Sequence, residues 1–313
     1  MVLLERSGHV LVIGAAGLDI VGRPTGELIT GASTPAILRT SLGGVSRNVA
    51  ENLARLGSEV VLVAAVGDDV EGGRLLNQTA GAGVNVDYCI GVPGLPTGAY
   101  LAILDGSGNL HHALDDMRIT ESLTPDHLRE RRGLFESAAV VFLDANLTPR
   151  TLSAAIELAR SCGVPVAADP TSPSLAPRLL PHLKDLWLVT PNQSEGETLC
   201  PETSAETGRD RAMSIARWLV SQGAYIAVLA MAEYGVVYAS VDSSGHVPAI
   251  QTEIVEPTGA GDAMTAAMIH SLLNEIPLDE AARLGVVAAS LTLHTRGSVV
   301  PDLSLELLYQ QLR

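Results

Sequence analysis

The chain has 313 residues, 47% of them hydrophobic, with 20 Lys+Arg against 35 Asp+Glu and a formal net charge of -15. Such a length carries enough apolar chain to bury a large core, and the acidic balance disfavours nucleic acid or an anionic membrane as partner. Cys89, Cys162 and Cys200 are odd in number and form no C-x-x-C pair, so neither a disulfide framework nor a zinc site is indicated, and a reducing cytoplasm suits them.

The first residues lack a basic region followed by an apolar stretch, so no signal peptide is expected, and weakly polar runs such as 284–293 fall far short of the roughly 20 residues that span a bilayer. Lys184 is the only lysine. A G-x-x-x-x-G-K-[ST] phosphate loop is therefore impossible, and a lysine Schiff base would depend on that one residue.

In chain order, His9–Ile13 reads as a buried strand and Asp19–Thr40, rich in Gly, Thr and alternating apolar residues, as antiparallel strands. Val49–Leu56 follows as a helix stopped at Gly57, then Val60–Val66 as a strand. Thr97–His112 repeats the alternating character, with turn signals at Asp105-Gly106 and Ser107-Gly108. Beyond it, strands at Ala138–Leu143, Pro165–Ala168, Leu186–Val189 and Tyr225–Leu229 interleave with helices at Thr151–Ser161 and Asp210–Ser221, which stop at Gly163 and Gly223. The alternation predicts an α/β fold, a parallel sheet with helices on both sides, and the two Gly/Thr-rich stretches predict a small antiparallel sheet over one end.

Two segments carry chemistry. Gly43-Gly44-Val45-Ser46-Arg47-Asn48 runs into a helix: adjacent glycines let backbone approach a ligand, and Asn48 on the first turn can bond hydroxyls, although a Gly-Gly pair is also an ordinary turn. Glu256-Pro257-Thr258-Gly259-Ala260-Gly261-Asp262 precedes the apolar helix 263–273. Its small residues leave N–H groups free at a helix start, where an anion is favoured. Asp262 could serve as a simple N-cap. Phosphoryl transfer, however, needs donors for the transferring oxygens beside a carboxylate that deprotonates the nucleophile, and this segment supplies both.

With those two segments in this order and separation, the sequence resembles the ribokinase-like, PfkB-type carbohydrate kinases along essentially its whole length: 43–67 is similar to that family's first signature and 256–268 to its second. The resemblance implies one ribokinase-like domain over 1–313, a parallel sheet flanked by helices with a small antiparallel β lid drawn from about 19–40 and 97–112. It implies ATP and Mg2+ as cofactors, a small-molecule nucleoside or sugar as substrate, and a homodimer formed through the lid. Asp262 would be the catalytic base, with Gly259, Ala260 and Gly261 around the transferring phosphoryl group. Asp19, Gly43, Gly44, Asn48 and Asp116 would bind substrate, and Asn192, Gly235, Ala260 and Val286 the nucleotide. Glu195, in an N-x-x-E element with Asn192, would orient magnesium through water, and Glu256 stands in the region that holds K+ in many members, one methylene longer than the usual Asp.

Ala230 and Ala232 depart from the family's usual hydroxyl residue and glycine before the nucleotide loop. Within the family, 43–48, 113–120, 190–199 and 301–304 resemble members that phosphorylate the 5′-hydroxyl of the C-nucleoside pseudouridine, with Asp115 and Asp116 as acceptors for the ring N–H groups. Ser46 and Leu175 depart from that subgroup. Another nucleoside or a free pentose or hexose is the alternative acceptor. A dinucleotide-dependent oxidoreductase is disfavoured because Gly14-Ala15-Ala16-Gly17 lacks the G-x-G-x-x-G spacing. A sugar-binding protein without turnover is disfavoured by the intact Asp262 segment.

Overall fold

The computed structural model describes residues 7–29, 31–106, 110–202, 204–251, 254–255 and 258–312. Glu256 and the Ser107-Gly108 turn signal lie outside them. The elements in chain order are β1 (His9–Ile13), β2 (Gly17–Pro24), β3 (Ala36–Gly43), α1 (Val45–Arg55), β4 (Val60–Val63), β5 (Ala65–Gly67), α2 (Val70–Gly81), β6 (Ile90–Val92), β7 (Gly98–Leu104), β8 (Leu110–Asp116), α3 (Pro125–Glu130), α4 (Arg132–Glu136) and β9 (Ala138–Asp144). There follow α5 (Pro149–Ser161), β10 (Val166–Asp169), β11 (Leu188–Val189), α6 (Gln193–Leu199), α7 (Gly208–Ser221), β12 (Ile226–Ala230), β13 (Val236–Ser240), β14 (Ser244–Val247), α8 (Ala260–Leu273), α9 (Leu278–Leu293) and α10 (Leu305–Gln311).

Eight strands form the main sheet in the order β14-β13-β12-β11-β10-β9-β1-β4, parallel from β4 to β12 and antiparallel across β12-β13-β14. The parallel strands are unbroken apolar runs because both of their faces are covered. Leu11, Ile13, Val141 and Leu143 pack with Leu152 and Ile156 of α5 and Ile215 of α7. Their neighbours Val10, Val12, Val140 and Phe142 pack on the opposite face with Val49 and Leu53 of α1 and Met264, Met268 and Ile269 of α8. The two-residue period of a strand therefore divides one apolar run between two cores.

Three differences from the predicted elements are informative. The run 60–66 is two strands: β4 pairs with β1, while β5 turns away at Ala64 to pair with β6. Here the Ala64 carbonyl accepts from Ile90 N–H at 2.9 Å, a long-range pairing that periodicity could not foresee. The β13–β14 hairpin extends the sheet where no strands were predicted. In the small sheet, order β3-β2-β7-β8, both hairpins are antiparallel but β2 and β7 run parallel side by side.

Candidate active site

Strands β1, β9 and β10 deliver their C-terminal ends to one corner of the sheet, the side at which open α/β sheets hold ligands. Asp144 and Asp169 close β9 and β10 as register partners. Asp144 is fully buried and accepts four hydrogen bonds: from Ala15 N–H at 2.8 Å, Ser46 N–H at 3.1 Å, Ser46 Oγ at 2.6 Å and Asn146 N–H at 2.9 Å. It thus pins the 14–17 loop and the first turn of α1 to the sheet. Asp169 accepts from Thr171 N–H at 2.7 Å and from the Thr190 hydroxyl at 3.3 Å. Thr171, a β-branched residue, is held at φ 67, an unfavourable conformation that the surrounding bonds maintain.

The two glycine segments fit this corner by close approach. A Cβ on Gly43 would fall within 2.5 Å of the Asp19 carboxylate, and one on Gly44 within 2.9 Å of the backbone of Ala15 and Ala16. At the other segment Gly259, at φ 81, presses on Ser298, whose carbonyl oxygen would lie 2.2 Å from an added Cβ. The first bond of α8 is Ala263 N–H to the Gly259 carbonyl at 3.0 Å. The Ala260, Gly261 and Asp262 N–H groups therefore have no acceptor within the helix, and none of the described residues lies within 4 Å of the Gly261 Cβ position. Free donors at the positive end of a 14-residue helix are able to receive an anion.

Asp262 is half-buried and accepts from Asn48 Nδ2 at 2.8 Å, which joins two glycine segments whose bonded residues stand 214 positions apart. Desolvation pushes its carboxyl up to about 7, opposed by the Asn48 donor and reinforced by the charges of Asp19, Asp144 and Glu195. Asp169 is also held above the usual carboxylate range, by burial and then by Glu195 and Asp262. A carboxylate with a proton affinity near neutrality suits a general base.

Asn192 and Glu195 form a reciprocal cap on α6: Asn192 Oδ1 accepts from Glu195 N–H at 3.0 Å, and the Glu195 carboxylate accepts from Asn192 N–H at 2.8 Å and Nδ2 at 2.7 Å. Burial raises the Glu195 carboxyl as well. Asn192 also bridges to Ala230 at the end of β12, and Ala232 just beyond holds φ 48, a conformation that glycine adopts without cost. Gly235 opens β13 against the end of β14. Val286 is buried in α9 within the apolar cluster around Met264 and Met268, a packing position. Among the described residues no group of three His, Cys, Asp or Glu side chains is arranged to ligate a metal directly.

The small sheet sorts its polar residues by face. The register places Ser41, Asp19, Tyr100 and Asp115 in one cross-strand row, whereas Asp116 lies in the next row with Leu42, Leu18 and Ala99 and so points to the other side. Asp116 is engaged by Arg118, Nε at 2.8 Å and Nη2 at 2.6 Å, which lowers its proton affinity. Tyr100 feels Asp19 and Asp115, which, after burial, raise its phenol. The row Asp19–Tyr100–Asp115 is thus a physical neighbourhood, and Tyr100 is a candidate that the sequence reading passed over. Asp144 and Ser298 were passed over too, the first visible only as an Asp closing an apolar run. No helix among the described residues is long and apolar enough to cross a membrane.

The pfkB family carbohydrate kinase profile matches residues 7–304. The chain is 34% identical over 303 residues to pseudouridine kinase of Escherichia coli K12, covering 96% of each protein. It is 30% identical over 297 residues to guanosine-inosine kinase of Exiguobacterium acetylicum, covering 94% of this chain and 97% of that one. Among solved structures it matches a carbohydrate kinase from Agrobacterium tumefaciens with TM-score 0.80 and 30% identity over 98% of this chain and 97% of the other. A ribokinase from Thermotoga maritima shares the fold, with TM-score 0.81 at 20% identity over 98% and 99% of the two chains.

Proposed function

Since the chain belongs to the pfkB family of carbohydrate kinases and is thereby a phosphotransferase acting on a hydroxyl group, we propose that it transfers the γ-phosphoryl group of ATP to the 5′-hydroxyl of pseudouridine, with Asp262 as base. The observation that carries the base assignment is the joining of Asp262, pushed up to about 7, to Asn48 at 2.8 Å beside the open N–H groups of 260–262. In this reading Asp262 takes the hydroxyl proton as the nucleophile attacks, and the N–H groups of Ala260 and Gly261 receive the charge on the transferring oxygens. Asp19, Gly43, Gly44 and Asn48 hold the sugar. Asn192 and Ala230 lie toward the nucleotide phosphates.

Magnesium, when bound with the nucleotide, neutralises phosphate charge. Glu195, raised by burial, and Asp169, raised by burial and by the Glu195 charge, fit a cation held through its own water shell. A nucleoside acceptor is supported by the similarity to pseudouridine kinase and guanosine-inosine kinase, and by the row Asp19–Tyr100–Asp115, whose acceptors extend beyond the sugar ligand Asp19. Leu38, 68% exposed, and Leu114, 65% exposed, lie on the opposite face of the same sheet and support pairing of two copies through it.

The test is kcat/KM for pseudouridine, uridine, inosine and ribose with ATP, with the phosphorylated position read by phosphorus NMR. Pseudouridine is expected to lead, with product at the 5′ position. A ribose value equal to or above that for pseudouridine would overturn the acceptor while leaving the kinase intact.

A further inference from the structure

Arg47 stands on the buried face of α1 and is only 5% exposed, an expensive place for a cation unless its charge is used. Its guanidinium is fastened on every side: Nε to Thr79 Oγ1 at 3.3 Å, Nη1 to the Leu42 carbonyl at 3.4 Å and to Asn48 Oδ1 at 3.0 Å, and Nη2 to Glu51. Glu51 is shared with Arg55, which bonds it at 2.9 and 2.5 Å and reaches the Pro301 carbonyl. The Ser298 hydroxyl lies 3.0 Å from the same Asn48 Oδ1 and 2.7 Å from the Leu42 carbonyl.

We propose that Arg47 is a positioning residue for the transfer: with Ser298 it commits the Asn48 carbonyl oxygen, so that the Asn48 N–H group must face Asp262 and hold it as the carboxylate. The inference rests on the reading of Asp262 as base. An amide has one oxygen and one NH2 end. Turned over, Asn48 would set its NH2 against the Arg47 guanidinium and its oxygen against the Asp262 carboxylate, repulsive at both ends. Arg47, which can only donate, excludes that state, the one Ser298 hydroxyl proton, shared with the Leu42 carbonyl, adds a part, and a donor fixed on Asp262 Oδ2 favours the ionised form.

Charge acts in the same direction. Asp262 is faced by Asp19 from β2, Asp144 from the end of β9, Asp169 from the end of β10 and Glu195 from α6, and the Arg47 guanidinium of α1 feels the charges of both Asp19 and Asp262. Burial lowers the Arg47 guanidinium only to about 10, so it stays charged wherever the enzyme would work. The charged residues of α9, Asp279, Glu280 and Arg283, sit in its first turns, at the far end of the α8–α9 hairpin from Asp262.

The experiment is a pH titration of the unliganded protein labelled with 13C at Asp carboxyls, the Asp262 resonance being identified by its loss in Asp262→Asn. In Arg47→Gln the Asp262 midpoint is expected to rise by about one pH unit, a tenfold loss of acidity. Arg47→Lys should restore part of the shift, and Ser298→Ala should move it upward by less. The acid limb of kcat with ATP and pseudouridine should move in step, while KM for ATP stays constant. A role in packing alone would lower kcat equally at all pH values. An unmoved Asp262 midpoint in folded Arg47→Gln overturns the inference; should that variant not fold, an unmoved midpoint in both Arg47→Lys and Ser298→Ala overturns it. Normal turnover in Asp262→Asn would instead overturn the base reading, an outcome distinguishable from an inactive Asp262→Asn with an unmoved Arg47 response.

Discussion

The corner at Asp262 and the small sheet above it are built by opposite means. In the corner each polar group is held by several partners: Asp144 by four donors, Asn48 by Arg47 at one end and Asp262 at the other, Glu195 by the main chain and the side chain of Asn192. Such groups are buried, and losing one partner strands another. The small sheet carries one row of polar side chains across paired strands, an exposed outer face and an exposed Asp116–Arg118 pair. On the proposed reading, chemistry that must not vary falls where geometry is over-determined, and acceptor choice falls where a side chain can change without unravelling its neighbours.

The largest break in that contrast is expected from Asp262→Asn, which should lower kcat on the order of 10²–10⁴-fold with substrate binding retained, read by steady-state kinetics and calorimetry. It carries a stability signature of known sign. Between 3.8 and about 7 the folded chain holds the Asp262 proton that the unfolded chain has released, so ionisation costs stability as pH rises through that window. Asp262→Asn should therefore be more heat-stable than the parent at pH 8, with the gap closing toward pH 4 in scanning calorimetry.

Next in size, Asp144→Ala should lower unfolding free energy by about 3 kcal/mol in urea titrations, because it leaves the Ala15, Ser46 and Asn146 N–H donors stranded. In the small sheet the effects should be on function and not on folding. Asp115→Asn or Tyr100→Phe is expected to reduce kcat/KM for pseudouridine by about tenfold with an unchanged melting temperature, whereas Asp116→Ala, on the other face, should stay within about twofold. Equal losses at Asp115 and Asp116 would show that the row does not face the acceptor. Smallest is Ala232→Gly, which should be neutral or stabilising by up to about 1 kcal/mol, since it relieves φ 48.

The amino-acid pattern set the layered α/β architecture, because buried parallel strands need unbroken apolar runs and the intervening helices show one apolar face, as at 9–13, 138–143 and 151–161. It also singled out Gly43–Asn48 and Gly259–Asp262, since small residues before a helix leave backbone donors free wherever they occur. The contact of Asn48 with Asp262, the approach of Ser298 to Asn48, the tie that Asp144 makes between the loop after β1 and α1, and the place of Asp115, not Asp116, in the row of Asp19 came only with the folded chain. Those relations join residues 98 to 250 positions apart or depend on strand register. No local pattern encodes them, because register is set by which hairpins lie side by side and a one-residue shift turns every side chain to the other face.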